Sequence, residues 1–347
     1  INKKYPLLDK QNVYSKGGFF VYFILFYISK ITSSIIYLKV KKLEVTMEQK
    51  IYINKEDSIV SMSSNNKAKH YCKSGSTVVF QTSDCYNGNL KSESDLFHLI
   101  DYSNINPATG PLYIENAEPG DVLRVDILEI KLDSQGAMSV SPGRGALKDF
   151  VEEERTKIIK IEDGYAVFND ILKFPINPMI GVIGTAPKEG EVLNGTPGEH
   201  GSNMDCNKIQ EGTSLFLPVN VPGALLAMGD LHAVMGDGES ATCGIEISGE
   251  VTVKVTVLKD AIMPTPFLKT NSEYITIAAG KTLDEASSHA CFKMLDFLKA
   301  TLPLDLQELI MLLSIAGNME ICQVVNPLKT ARMTMPIDLF DKYNVRI

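Results

Sequence analysis

"GEVTVKVTVLK", residues Gly249–Lys259, alternates apolar and polar side chains without a break. Val251, Val253, Val255 and Val257 fall on one face, and Thr252, Lys254 and Thr256 on the other. This is the period of an antiparallel strand with one side buried and one side wet. Comparable runs precede it: "STVVFQT" (Ser76–Thr82), "DVLRVDILEIKL" (Asp121–Leu132), "TKIIKIED" (Thr156–Asp163), "GYAVFND" (Gly164–Asp170) and "TSLFLPVNV" (Thr213–Val221). Gly, Pro, Asn and Asp separate them from Met47 to about residue 260. Strands at this density, with these turns, predict a mainly β chain built as a sandwich or barrel. Three of the runs open alike, as "KSGSTVVFQT", "EPGDVLRVDI" and "ISGEVTVKVT". Glycine before a strand is common turn chemistry, and two related β units would give the same echo.

The texture changes after Ile262. "TLDEASSHACFKMLDFLKATL" (Thr282–Leu302) sets Ala286, Ala290, Met294, Phe297 and Leu298 at helical spacing. Thr282 serves as N-cap, with Glu285 three residues on. His289 in this helix has no acidic partner at helical spacing and reads as structural. Pro303 breaks the chain, and "DLQELIMLLSIAG" (Asp305–Gly317) reads as a second helix closed by Gly317. The expected division is therefore an extension over 1–46, a β-rich body over 47–260 that carries the site, and an α+β portion over 261–347 that completes the same unit.

The 347 residues suffice for a large core. The net charge of -8 gives no basic footprint, and no nucleic-acid motif is present, which excludes that class of partner. The six cysteines include no CxxC pair and are expected to be reduced thiols of a cytoplasmic protein. Residues 1–46 differ from the rest. "GGFFVYFILFYISKITSSIIYL" (Gly17–Leu38) has the length and apolarity of a signal anchor. "MEQKIYINKED" reads as the first strand of a soluble protein, so the functional chain is expected to start at Met47, with no membrane role unless Gly17–Leu38 is native.

Two glycine-rich segments concentrate chemistry. "NGTPGEHGSNMDCNKI" (Asn194–Ile209) holds Glu199, His200, Asn203 and Asp205. "GDLHAVMGDGE" (Gly229–Glu239) holds Asp230, His232, Asp237 and Glu239. Between them, "EGTSLFLPVNVPGALLAM" (Glu211–Met228) reads as strand, Pro-Gly turn and strand, which would bring both segments to one sheet edge. Glycines let a backbone wrap a small ligand. Histidine with several carboxylates suits a divalent ion such as zinc. The alternative is plain turn chemistry, with the acids capping backbone amides and His200 exposed. Two such segments, with Asp84 in "FQTSDCYNG", favour a site.

The strings "GPLYIENAEPGDVLRVDILEI", "MIGVIGTAP", "NGTPGEHGSNMD", "EGTSLFLPVNVPGALLAMGDLHAVMGDGE", "GEVTVKV" and "QVVNPLKTARMTMP" resemble the acetamidase/formamidase family, in order and spacing, from Met47 to Pro336. The shorter acetamidase branch is the nearer. The resemblance implies hydrolysis of acetamide or formamide to carboxylate and ammonia. It implies a jelly-roll-like β-sandwich plus a β-barrel-like body with a small α+β part, a homodimer and a bound divalent ion. Zinc is the ion expected and calcium the alternative. The family's acidic-histidine positions fall on Asp84, Asp205, His232 and Glu239. Two departures are Cys85 after Asp84 and Ser202 before Asn203.

No Ser-Ser-Lys or Glu-Lys-Cys amidase signature is present, so metal-activated water is the economical mechanism. Glu199 or Asp237 is expected to be the proton-transfer group, with Asn203 or backbone N–H groups holding the oxyanion. His200, Gly201 and Met204 are expected to line the substrate pocket, where Met228 and Met235 could add apolar contact. Cys85 and Cys206, each beside a candidate ligand, leave a thiol nucleophile as the minor variant. The rival functions are a metal-dependent β-sandwich isomerase or oxygenase using His200 and His232, and a non-catalytic small-ligand binder.

Overall fold

The computed structural model describes residues 50–345. The 1–46 extension, with Gly17–Leu38, lies outside them. Among the described residues are a nine-stranded sheet, an eleven-stranded sheet and a two-stranded ribbon. Valine alternation over Gly249–Leu258 places this strand between Thr77–Thr82 and Val122–Leu132 in the nine-stranded sheet. These are the three strands whose opening patterns echo one another. Val251, Val253 and Val255 are buried while Lys254 is exposed, as the alternation requires.

The two sheets share one apolar core. Phe80, Leu123 and Val253 come from the nine-stranded sheet, and Ile183, Leu226 and Leu231 from the eleven-stranded one. The protein is thus mainly β with a sandwiched core. Among the described residues the sheets stay open and do not close into a barrel.

The nine-stranded sheet continues through Phe267–Lys269, Glu273–Gly280, Lys329–Pro336 and Asn318–Gln323, so it runs without interruption into the C-terminal portion. Two helices, Leu283–Thr301 and Leu306–Ala316, follow the residues predicted for them. Thr282 accepts the Glu285 amide at the first N-terminus, and Asp305 and Glu308 form a capping box at the second. Ala286, Ala290, Met294, Phe297 and Leu298 are the buried face of the first helix. That face closes on Phe216, Phe267, Tyr274 and Phe340 in a separate aromatic core. Truncating a ring there to alanine would cost about 3–5 kcal/mol.

One expectation is corrected. Ser214–Pro218 and Leu226–His232 are not neighbouring strands: the first lies in the nine-stranded sheet and the second in the eleven-stranded sheet. The Pro-Gly connection between them passes from one sheet to the other, with Pro222 exposed. The two acidic segments meet by a different route. Gly201–Asn203 and Leu226–His232 both pair with Met179–Gly184, one on each side.

Candidate active site

The Leu226–His232 strand is buried along its whole length and ends in Asp230 and His232. His232 stands opposite Glu246 in the adjacent strand Glu246–Ile247. On the other side, Asp205 follows Gly201–Asn203, with Gly181 of Met179–Gly184 between the two arms. A β-carbon at Gly181 would lie 2.5 Å from Asp205 Oδ1 and 2.8 Å from Asp230 Oδ2. The missing side chain is what lets both carboxylates approach. Glu239 comes from the loop after the strand. That loop is tied to the C-terminal hairpin by Gly238 N donating to Cys322 O at 3.0 Å and by Val324 N donating to Gly238 O at 3.1 Å.

Asp205, Asp230 and Glu239 all hold φ in the left-handed region, at 44°, 57° and 46°. Such backbone is costly for a side-chain-bearing residue and clusters at functional sites. Four carboxylates, Asp205, Asp230, Glu239 and Glu246, are buried around one imidazole. Donor atoms of Asp205, His232 and Glu239 lie within 4.8 Å of one another, and so do those of Cys85, Asp230 and Glu246.

Burial pushes the Asp205 carboxyl up to about 7, with the Asp230 charge adding to it. Burial takes Glu246 to about 8 and Glu239 well above the carboxylate range, where the Asp205 charge reinforces it. For His232, burial acts to lower the pKa, but the charges of Glu246 and Asp230 outweigh it and hold the ring protonated. Asp230 is the one member drawn below its usual value: burial works against this, and the neighbouring His232 overcomes it.

A divalent cation fits this set. Asp230 Oδ1, Glu239 Oε2, Glu246 Oε2 and His232 Nε2 are buried without a hydrogen-bond partner. Nε2 lies 2.9 Å from Glu246 Oε1 and 3.5 Å from Asp230 Oδ1, close but not aligned for a hydrogen bond. Buried carboxylates in this excess need compensating positive charge. One imidazole with carboxylates is a donor set that zinc accepts, and the oxygens also suit calcium.

The residues singled out in the sequence separate into groups. Asp205, His232 and Glu239 converge. Asp84 stands beside them: its carboxylate accepts from the Gly88 amide at 2.9 Å, and burial, then the Asp230 charge, raises its pKa. Asn203 is buried at the centre, but its amide is committed. Oriented by its neighbours, it donates to Asp205 at 2.9 Å and Asp230 at 3.1 Å and accepts from Asn106 and Asn326.

Glu199 and Asp237 do not join the cluster. Glu199 is exposed and pairs with Lys293 at 2.7 Å, and Asp237 pairs with Arg332 at 2.7 Å. Both carboxylates are neutralised by cations. Burial, then the Glu246 and Asp230 charges, pushes the Cys85 thiol well up, away from a thiolate. Cys206 is lowered to about 6 by its Cys322 partner and the Arg332 charge, but it is fully buried and does not line the cavity.

A cavity of about 800 Å³ opens above the cluster. Cys85, Asn106 and Asn326 are shared between its lining and the acidic site. Asn326 donates to Asp205 Oδ2 at 2.6 Å. His200, Gly201 and Met204 do not line it. His200 is buried with Nε2 unpartnered, Gly201 carries the backbone at φ 92°, and Met204 packs in the sandwich core. Asp230 lay in plain view in the sequence. Glu246, Asn106 and Asn326 carried no local signal, because only strand pairing and the C-terminal hairpin bring them in.

The family profile described as "Acetamidase/Formamidase family" matches residues 64–195 and 192–342. The chain belongs to that family. Its architecture is similar to the crystal structure of acetamidase from Bacillus halodurans, at 46% identity and a TM-score of 0.84, covering 85% of this chain and 100% of that one. Formamidase of Methylophilus methylotrophus is 27% identical over 290 residues, which are 61% of this chain and 71% of that protein. A relative from Schizosaccharomyces pombe is 31% identical over 251 residues, 54% of this chain. The match spans 61% of that relative's length, less than two thirds of it.

Proposed function

We propose that this protein is an amidohydrolase that cleaves short aliphatic amides, acetamide and formamide among them, to carboxylate and ammonia. The observation that carries the reading is the convergence of four buried carboxylates and His232 under a cavity, in a chain of this family. Asp205, His232 and Glu239 would hold a divalent ion, zinc before calcium. Such an ion, when bound, polarises the amide carbonyl and lowers the pKa of water toward ~7.

The remaining work belongs to the chain. Asn326 and Asn106, at the boundary of cluster and cavity, orient the amide group. Glu246 stands outside the proposed ligand set but within reach of it, with a basicity near neutral. It takes the proton from the attacking water and delivers it to the leaving nitrogen, which must depart as an amine. Glu199 and Asp237, paired with Lys293 and Arg332, are weaker candidates for that role than Glu246. The buried walls exclude bulk water, which strengthens each of these interactions.

The free state of all six cysteines supports a reducing, cytoplasmic setting. Exposed Ile310, Met311 and Ile315 on the second helix support a homodimer. Among the described residues no helix is long and apolar enough to cross a membrane. The test is ammonia release from acetamide and formamide by protein starting at Met47, alongside a His232→Ala variant. Loss of both bound ion and hydrolysis in the variant supports the reading, and unchanged hydrolysis refutes it.

A further inference from the structure

The cavity is far larger than acetamide requires. At about 800 Å³ it falls within the roughly 300–1,000 Å³ of sites that hold drug-sized ligands. Its charges are also one-sided. Arg144, Lys148 and Lys329 line it, and no aspartate or glutamate does, although the chain carries 42 acids against 34 lysines and arginines. The acidic cluster lies beneath. A ligand in this cavity therefore meets a basic outer wall.

We propose that the cavity selects amides whose acyl group ends in a carboxylate a few bonds from the scissile carbonyl, with Arg144 over the Phe97–Tyr102 wall as the specificity-determining residue. The inference rests on the amidohydrolase reading and names the substrate class for the same site.

The wall leads from floor to rim in short steps. Tyr86, next to Cys85, has its ring 5.7 Å from that of Phe97, and Phe97 lies 5.1 Å from Tyr102. The Arg144 guanidinium sits 4.6 Å above Phe97 and 5.2 Å above Tyr102. Among the described residues it makes no ion pair, and neither does Lys148. Lys329 donates to the Asn326 carbonyl oxygen at 2.7 Å.

A guanidinium resting on aromatic faces keeps its donor fork for a planar anion, the geometry that suits a carboxylate. The loop that carries it is fixed. Gly143 and Gly145 flank Arg144 at φ 76° and 75°. Gly145 packs so closely on the Ala241 carbonyl that any β-carbon would collide with it, and Ala146 N donates to Ser240 O at 3.0 Å. A terminal carboxylate is then held at the basic rim by Arg144. This leaves the amide end over Asn106 and Asn326.

The test compares 5-amino-5-oxopentanoate with pentanamide, its neutral counterpart, on zinc-loaded wild-type, Arg144→Gln and Arg144→Lys proteins. Expected is a kcat/KM preference of about tenfold or more for the anionic amide in the wild type, expressed mainly in KM, the scale of one charge-assisted contact. Arg144→Gln loses that preference, Arg144→Lys keeps part of it, and added salt weakens it. Equal turnover of the two amides by the wild type overturns the proposal, as does a preference that survives in Arg144→Gln. Calorimetric titration of both amides is run on the same proteins. If neither amide is hydrolysed, the amidohydrolase reading fails by itself, and binding still decides the selectivity. Tighter binding of the anionic amide that is lost in Arg144→Gln supports it, and equal binding overturns it.

Discussion

His232 and Glu246 face each other across adjacent antiparallel strands, with Nε2 2.9 Å from Oε1 and both side chains almost wholly buried. The pair ties the imidazole to the one carboxylate that neither continues its own strand nor lies in a glycine loop. The donors form two groups: Asp205 and Glu239 come together with His232, and Asp230 and Glu246 with Cys85.

Glu246→Gln keeps the shape of the side chain and removes its capacity to take a proton. A fall in kcat of about 10²–10⁴ is expected, with the fold intact by circular dichroism. Glu199→Gln, which touches only an ion pair with a 71% exposed carboxylate, is expected to stay within about threefold of wild type. The reverse ranking would move the proton-transfer role to Glu199.

Gly181→Ala adds one carbon where Asp205 and Asp230 already meet. The added carbon would also meet the Asp230 carbonyl oxygen at 2.8 Å, so both the carboxylates and the neighbouring strand must shift. Destabilisation of about 1–3 kcal/mol is expected in urea unfolding, together with a loss of bound metal larger than the loss of stability explains. A variant with full metal content would show that the approach of the two carboxylates is not needed.

Metal-free protein holds protons that a cation must displace. With Asp205 near 7, Glu246 near 8 and Glu239 and His232 raised well above their usual values, the site is largely protonated at pH 7. Zinc binding is therefore expected to release protons at pH 7 and fewer at pH 9, where Asp205 and Glu246 are already ionised. Calorimetry in buffers of different ionisation enthalpy measures this, and proton uptake or no exchange would contradict it.

His200 supplies a pH dependence of stability. Burial lowers its pKa to about 4, and the Glu199 charge only partly opposes this. Because the folded value lies below the unfolded 6.5, the ring is neutral in both states at pH 7.5. As pH falls from 6.5 toward 4 the unfolded chain takes up a proton that the folded protein refuses. About 3 kcal/mol of stability is lost across that window. The stability gap between wild type and His200→Asn should therefore narrow as pH falls from 7.5 to 4.5. A gap that does not change with pH would mean that His200 is not held neutral.

Local pattern carried the elements further than it carried the site. The valines of Gly249–Leu258 and the caps Thr282 and Asp305 depend on neighbours within a few residues, so they were legible from the chain itself. The exchange between sheets after Pro218 depends on long-range pairing and was not. In the glycine loops, adjacency misled. Glu199 and His200 are consecutive, yet one turns out to Lys293 and the other inward. Asp237 and Glu239 flank Gly238, whose φ of 94° sends the first to Arg332 and the second into the cluster. Glu246 sits in a short strand segment away from both histidine-bearing loops, and its register with His232 gives it a place.

The most direct measurement is ammonia release from acetamide and formamide before and after chelation, with metal content read on the same samples. The expected result is hydrolysis that disappears with the ion, returns with zinc in wild type, and does not return in His232→Ala. Undiminished hydrolysis by thoroughly metal-free protein would contradict a metal-holding role for Asp205, His232 and Glu239.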